Sequence, residues 1–245
     1  MSERGTSERI VGTSTPPAVE ARGLSRVYGD GPDAVHALRE VDLSIGAGEF
    51  LAVMGPSGSG KSTLLHLVGG LDRPDTGEVL IEGKALAELD DEALAHLRRR
   101  RIGFVLQFFN LFPLLSAREN VAFPLLLDGR DDALALAAAA LERVGLSERA
   151  EHRPNQLSGG EQQRVAVARA LVSQPAVVLA DEPTGSLDSL AGEDVLRLLR
   201  AAADDGQAVL LITHDAPAAA YADRVVRLRD GAVVPSADDA ASVTG

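Results

Sequence analysis

Gly55-Pro56-Ser57-Gly58-Ser59-Gly60-Lys61-Ser62 stands between an apolar run, Phe50-Leu51-Ala52-Val53-Met54, and a second one, Thr63-Leu64-Leu65-His66-Leu67-Val68. Every fixed position of G-x-x-x-x-G-K-[ST] is filled, in the context strand, glycine loop, helix. Glycine lets the backbone turn and approach a phosphate with no Cβ in the way. Successive amide N–H groups along residues 57–63, Thr63 included, and the helix N-terminus behind them present positive partial charge to an anion. Lys61 is placed to reach the β- and γ-phosphates of a nucleotide, and the Ser62 hydroxyl to ligate Mg²⁺. The competing reading, a chance glycine-rich turn, does not account for the flanking strand and helix.

Upstream of this loop, residues 18–21 begin a strand, residues 24–28 continue as β, and Gly29-Asp30-Gly31-Pro32-Asp33 is a turn cluster. Residues 35–38 and 41–45 read as two further strands, the second alternating. Downstream come a short strand at 78–81, a helix ending in Arg98-Arg99-Arg100-Arg101, a buried strand at 102–106, and an alanine-rich helix over 131–144 with Gly145 past its end. Leu157-Ser158-Gly159-Gly160-Glu161-Gln162-Gln163-Arg164 opens a helix to about residue 172. The continuous apolar run Ala176-Val177-Val178-Leu179-Ala180 predicts a central parallel strand ending in Asp181-Glu182. A helix over 190–204, a strand at 208–213, His214, a short helix at 216–221, a strand at 224–228 and an Asp230-Gly231 hairpin turn follow. Strands alternating with helices, with the chemistry at strand ends, give an α/β architecture with a parallel sheet. An antiparallel β part precedes it, and a mostly helical side lobe is expected over about 95–165. Residues 1–17 and 236–245 are expected to be tails around a domain spanning 18–235.

Composition narrows the classes. The 245 residues are 45% hydrophobic but 3% aromatic, so aliphatic side chains must build the core. With no cysteine, disulfides and thiolate metal sites are excluded. The start shows no apolar signal segment, and no apolar run approaches the 18 or so residues of a membrane span, so a chain that does not itself cross a membrane is expected. A formal net charge of −12 argues against nucleic acid as the main partner. The four arginines at 98–101 could be a nucleic-acid patch; the plainer reading is cations at a helix C-terminus. Five of the six Phe lie between Phe104 and Phe123. Such concentration suggests a docking surface, with a local core as the alternative.

A phosphate loop alone leaves kinases, GTPases and ATPases open; no N-K-x-D motif supports a GTPase. Asp181-Glu182 at an apolar strand end adds a carboxylate placed to hold Mg²⁺, directly or through water, and a second placed to polarise an attacking water. Here the chain resembles the nucleotide-binding cassette of an ABC transporter, over about residues 18–235. Tyr28 matches the aromatic that stacks on adenine. Residues 55–62 match Walker A, Gln107 the Q-loop glutamine that ligates Mg²⁺ and water, and residues 157–162 the signature. Residues 177–182 match Walker B with its catalytic glutamate, Ser186-Leu187-Asp188 the D-loop, and His214 the switch histidine of the γ-phosphate. The resemblance implies a P-loop NTPase core, ATP and Mg²⁺ as cofactors, and Ser62, Gln107 and Asp181 as metal ligands. It also implies a head-to-tail homodimer in which Ser158, Gly159 and Gly160 of one copy face the γ-phosphate held by the other, and it counts Asp188 of the D-loop among the nucleotide-binding residues. A separate membrane permease is expected to dock near residues 108–112, holding the cassette on the inner face of the cell membrane, in the cytoplasm.

The stretches 102–111 and 179–185 resemble the branch of lipoprotein-release, macrolide- or peptide-export and cell-division cassettes. Ser186 departs from it, since that branch often has Asn there. The rival function is a soluble ABC ATPase acting on DNA or ribosomes, but fewer than a hundred residues separate Lys61 from Leu157 and no heptad run lies between them. A non-catalytic interaction module is opposed by the intact Lys61, Glu182 and His214.

Overall fold

The computed structural model describes residues 16–234. The tails expected at 1–17 and 236–245 lie outside that span, apart from Pro16 and Pro17. In chain order come β1 (Val19–Tyr28), β2 (Val35–Ile45), β3 (Phe50–Met54), α1 (Lys61–Val68), β4 (Thr76–Ile81), β5 (Lys84–Ala85), α2 (Asp91–Arg101) and β6 (Ile102–Leu106). Then follow α3 (Ala117–Leu127), α4 (Ala133–Arg143), α5 (Gly159–Leu171), β7 (Val177–Asp181), α6 (Ser189–Asp204), β8 (Ala208–Thr213), α7 (Ala216–Ala219), β9 (Arg224–Arg229) and β10 (Ala232–Val234).

The strands form two sheets. An antiparallel one runs β2-β1-β4-β5; a second runs β10-β9-β3-β8-β7-β6, with only the β9–β10 pair antiparallel. The stretches 18–21 and 24–28 form one long strand, β1, and the two strands expected at 35–38 and 41–45 are a single one, β2. Gly23 and Glu40 take positive φ, and the register of β1 shifts between Ala21 and Leu24. Side chains hold the freed amides: Asp42 Oδ1 accepts from Gly23 N–H at 2.7 Å, and Ser25 Oγ from Glu40 N–H at 3.0 Å. Such bulges bend a strand without ending it. The Asp230-Gly231 hairpin is present, both residues at positive φ as a type I′ turn requires.

Burial follows the apolar pattern. β8 is buried along its whole length, and β7, as expected, lies inside the sheet and parallel to both neighbours. One face of the parallel sheet packs on α1 and the antiparallel sheet through Leu64, Leu65, Leu67, Val19 and Leu24. The other face packs on α5, α6 and α7. A third cluster joins α3, α4 and the middle of α5. The span 95–165 read as a side lobe includes β6, a strand of the six-stranded sheet. Helix α3 was not foreseen as an element, although Ser116 and Glu119 form a reciprocal capping box at its start. The arginine run at the end of α2 is occupied within the chain: Arg98 donates to the Gly70 carbonyl, Arg99 and Arg100 pair with Asp128, and Arg101 pairs with Glu82.

Parallel pairing sets the C-terminal strand ends side by side. Met54 faces Thr213, Asp181 faces Ile212, and Leu106 faces Asp181. The phosphate loop, Gln107, Asp181-Glu182 and His214 thus leave the sheet at one edge, where α/β sheets place their ligand crevice.

Candidate active site: the nucleotide cleft

A cleft of about 800 Å³ opens at this edge. Tyr28, Pro56, Ser57, Gly58, Gly60, Lys61, Ser62, Thr63, Gln107, Asp181, Glu182 and His214 all line it, residues scattered over most of the sequence. Gly55 and Ser59 lie beneath the loop: a Cβ on Gly55 would collide with the Leu228 carbonyl, and Ser59 is buried. Gly60 holds φ 102°, and a Cβ there would collide with the Ala37 carbonyl, so both spacing and conformation demand glycine.

Helix α1 begins at Lys61 with no side-chain cap. The first N–H groups of a helix have no carbonyl behind them, so those of Lys61, Ser62 and Thr63 remain for an external acceptor. The Lys61 ammonium is buried and donates to the Gly55 and Pro56 carbonyls at 2.8 and 2.9 Å. Among the described residues it has no carboxylate partner, so a buried cation and a row of free amides converge on one spot, which fits a polyphosphate.

The acidic side of the cleft is also ordered. Burial pushes the Asp181 carboxyl above its ordinary range, and the Ser62 hydroxyl beside it pulls it partly back. Ser62, Asp181 and Gln107 together offer only oxygen ligands, the set a hard cation takes. Mg²⁺ is such a cation, and it usually keeps waters and substrate oxygens besides a few protein ligands. Glu182 sits at φ 45°, its N–H on the Ile212 carbonyl at 2.9 Å. Its Oε1 lies 2.7 Å from His214 Nδ1, and the Thr213 hydroxyl donates to its Oε2 at 3.4 Å. The carboxylate holds the exposed His214 imidazole above its usual range.

Other site residues lie elsewhere. Ser158, Gly159 and Gly160 occupy the N-terminus of α5, outside the cleft, where Ser158 and Glu161 form a capping box. Asp188 caps α6, accepting from Ala191 N–H at 2.9 Å. The two helix starts adjoin, since a Cβ on Gly160 would crowd Ala191. Ser186 donates to the Gln107 carbonyl at 3.0 Å and ties that loop to the segment before α6.

One residue escaped the sequence reading. Gln163 is fully buried and donates to the Leu106 and Pro183 carbonyls at 3.3 and 2.7 Å, joining α5 to both acidic-side strand ends. Its signal was a polar residue at a core-facing helical position, between Gly159 and the buried Ala166 and Val167.

The family model described as ABC transporter matches residues 38–185. The chain belongs to the ABC transporter family. It is 51% identical over 216 residues to the lipoprotein-releasing system ATP-binding protein LolD of Chromohalobacter salexigens, covering 87% of this chain and 91% of LolD. The macrolide export ATP-binding/permease protein MacB of Nitrosomonas europaea is 50% identical over 228 residues, 92% of this chain but 35% of MacB. The chain thus spans about a third of the length of that relative. Among solved structures, the dimeric bacterial ABC transporter cassette MJ0796 superposes with a TM-score of 0.81 at 45% identity, covering 89% of this chain and 97% of that one. The same cassette in a post-hydrolysis dimer bound to ADP and Pi gives 0.81 as well. An ABC cassette, a P-loop NTPase core with its antiparallel β sheet and helical lobe, is therefore the fold of this chain.

Proposed function

We propose that this cassette binds ATP in the cleft, hydrolyses it to ADP and phosphate, and couples that cycle to a separate membrane permease. Tyr28 offers a face for adenine, and the amides of residues 57–63 with Lys61 take the phosphates. Ser62, Asp181 and Gln107 hold Mg²⁺, which neutralises phosphate charge when bound. Glu182 accepts the proton of the attacking water, and His214, oriented by Glu182, contacts the γ-phosphate. The observation that carries this reading is the gathering of Lys61, Ser62, Asp181, Glu182 and His214 on one cleft, with the 2.7 Å contact between Glu182 and His214. The test is steady-state phosphate release from ATP. Wild type is expected to turn over with Mg²⁺ and to stop with a chelator, and Glu182→Gln to bind ATP but hydrolyse it about 10²- to 10⁴-fold more slowly. Wild-type rates in Glu182→Gln would refute the base role.

The permease reading rests on two supports. The relatives' names join an ATP-binding part to a permease or a releasing system. Phe108, Phe112 and Leu114 are exposed just past Gln107, beside an apolar groove that includes Phe123 and Leu127. Two other Phe of that stretch are less free: Phe104 packs on the core, and Phe109 lies against Gly159. No helix of the described chain is long and apolar enough to cross a membrane. Docking on a permease at the cytoplasmic face of the membrane is the localisation we infer.

A further inference from the structure

Tyr28 ends β1 with 39% of its surface exposed, yet its ring is not free to turn. Its hydroxyl donates to Asp72 Oδ2 at 2.9 Å. The Arg26 guanidinium, two residues earlier on the same face of the strand, lies over one face of the ring at 4.9 Å from its centroid. Arg26 is itself fixed by Asp72 Oδ1 at 3.0 Å and Asp75 Oδ1 at 2.8 Å. Asp75 also accepts from Val27 N–H at 2.7 Å, so the backbone between Arg26 and Tyr28 is held too. Both carboxylates belong to the turn between α1 and β4, the helix that opens at the phosphate loop.

We propose that Asp72 and Arg26 are positioning residues for nucleobase binding, presetting the Tyr28 ring as a stacking platform. With Arg26 covering one face and Asp72 holding the hydroxyl, one ring face remains for a base above the cleft. A ring already ordered loses no rotamer freedom when the base arrives, and that loss otherwise subtracts from affinity. Asp72 stands four residues past the end of the helix that carries Lys61, so this turn links platform and phosphate loop. Stacking accepts any base through its π-face, so the device strengthens purine nucleotides without choosing between them. This inference rests on the cleft being the nucleotide site.

The test is calorimetric affinity of the full chain for Mg-ATP, Mg-GTP and the base-less Mg-ribose 5-triphosphate. Tyr28→Phe keeps the ring and removes only the tether; Asp72→Ala removes the tether and one of the two carboxylates that hold Arg26, leaving Asp75. Both are expected to weaken ATP and GTP alike by about 3- to 10-fold, with ribose 5-triphosphate unchanged. In turnover, KM for ATP should rise with kcat unaltered. Unchanged ATP affinity in Tyr28→Phe overturns the proposal, and so does equal weakening of the base-less ligand, which marks a merely structural role. Asp72→Ala is read beside Tyr28→Phe because it also disturbs a turn; loss of all binding in Asp72→Ala with no effect in Tyr28→Phe counts against it. Wild type that binds none of the three sinks the site reading itself, whereas wild-type binding with indifferent variants sinks only the clamp.

Discussion

At the scale of single residues, the motif letters told which groups carry chemistry but not what holds them. Lys61 was legible because its motif fixes residue type and spacing together. Its pairing with the Gly55 and Pro56 carbonyls was not, since those bonds depend on a loop path that spacing does not encode. The same holds for the contact between Glu182 and His214, which lie 32 positions apart. Gln163 stands directly after the signature, yet only three dimensions show its amide on the Leu106 and Pro183 carbonyls. Lys61→Ala removes the buried cation and leaves both loop carbonyls without their donor. Nucleotide affinity should fall by about 10²-fold or more, measured by equilibrium binding, and turnover should vanish. Affinity within a factor of two of wild type would show that the helix amides alone hold the phosphates.

At the scale of elements, what the sequence hid is explained by side chains acting across turns. The bulges of β1 and β2 are stabilised by Asp42 and Ser25, so breaks in the alternation looked like strand ends. Helix α3 hid behind Pro124 and its aromatic neighbours, although its capping box was readable. Its buried Asn120 accepts from Phe112 N–H at 2.7 Å and donates to the Phe112, Leu115 and Ser116 carbonyls. Asn120→Ala orphans a buried donor and several acceptors and should cost about 1–3 kcal/mol in denaturant unfolding. It should also loosen the segment that carries Phe112. At the opposite end of the sheet, Asp223 accepts from Phe50 N–H at 2.8 Å and from Arg200 at 3.0 Å, joining β3, the start of β9 and α6. The Phe50 amide, and after it Arg200, hold the Asp223 carboxyl below its ordinary range. A depressed folded-state pKa stabilises above the unfolded value and is lost as pH falls through the folded one. Asp223→Asn should therefore lower the melting temperature at pH 7, by the equivalent of under about 1 kcal/mol because the side chain is half exposed, and the gap should close below about pH 4. A gap of constant size down to pH 3 would mean that shape, not charge, is what Asp223 supplies.

At the scale of the whole molecule, the ABC cassette fold was legible because alternation of strands and helices and the order of motifs agree. The second anion site that we propose at the start of α5 was read from the resemblance and not from the alternation of strands and helices. Ser158, Gly159 and Gly160 lie outside the cleft of their own chain, at a helix start with no phosphate loop opposite it. A helix N-terminus of this kind is useful to a γ-phosphate only if another copy brings one, and the related solved cassettes are dimers. Pairing must overcome repulsion between two chains of net charge −12 each, of which salt screens only the part beyond about 8 Å. Glu182 against the γ-phosphate is the short-range remainder. Glu182→Gln deletes that charge and slows hydrolysis, and both effects favour an ATP-bound dimer that persists. Size-exclusion chromatography should show Glu182→Gln moving from monomer to dimer with ATP and Mg²⁺, and remaining monomeric with ADP. Adding Ser158→Arg should return it to monomer, because a bulky side chain then fills the anion site. Ser158 also caps α5, so its loss alone costs helix stability of about 1 kcal/mol, and a Ser158→Ala control separates that effect from blockage. A Glu182→Gln chain that binds ATP and stays monomeric at high micromolar concentration would leave the permease, and not the nucleotide, as the force that brings two cassettes together.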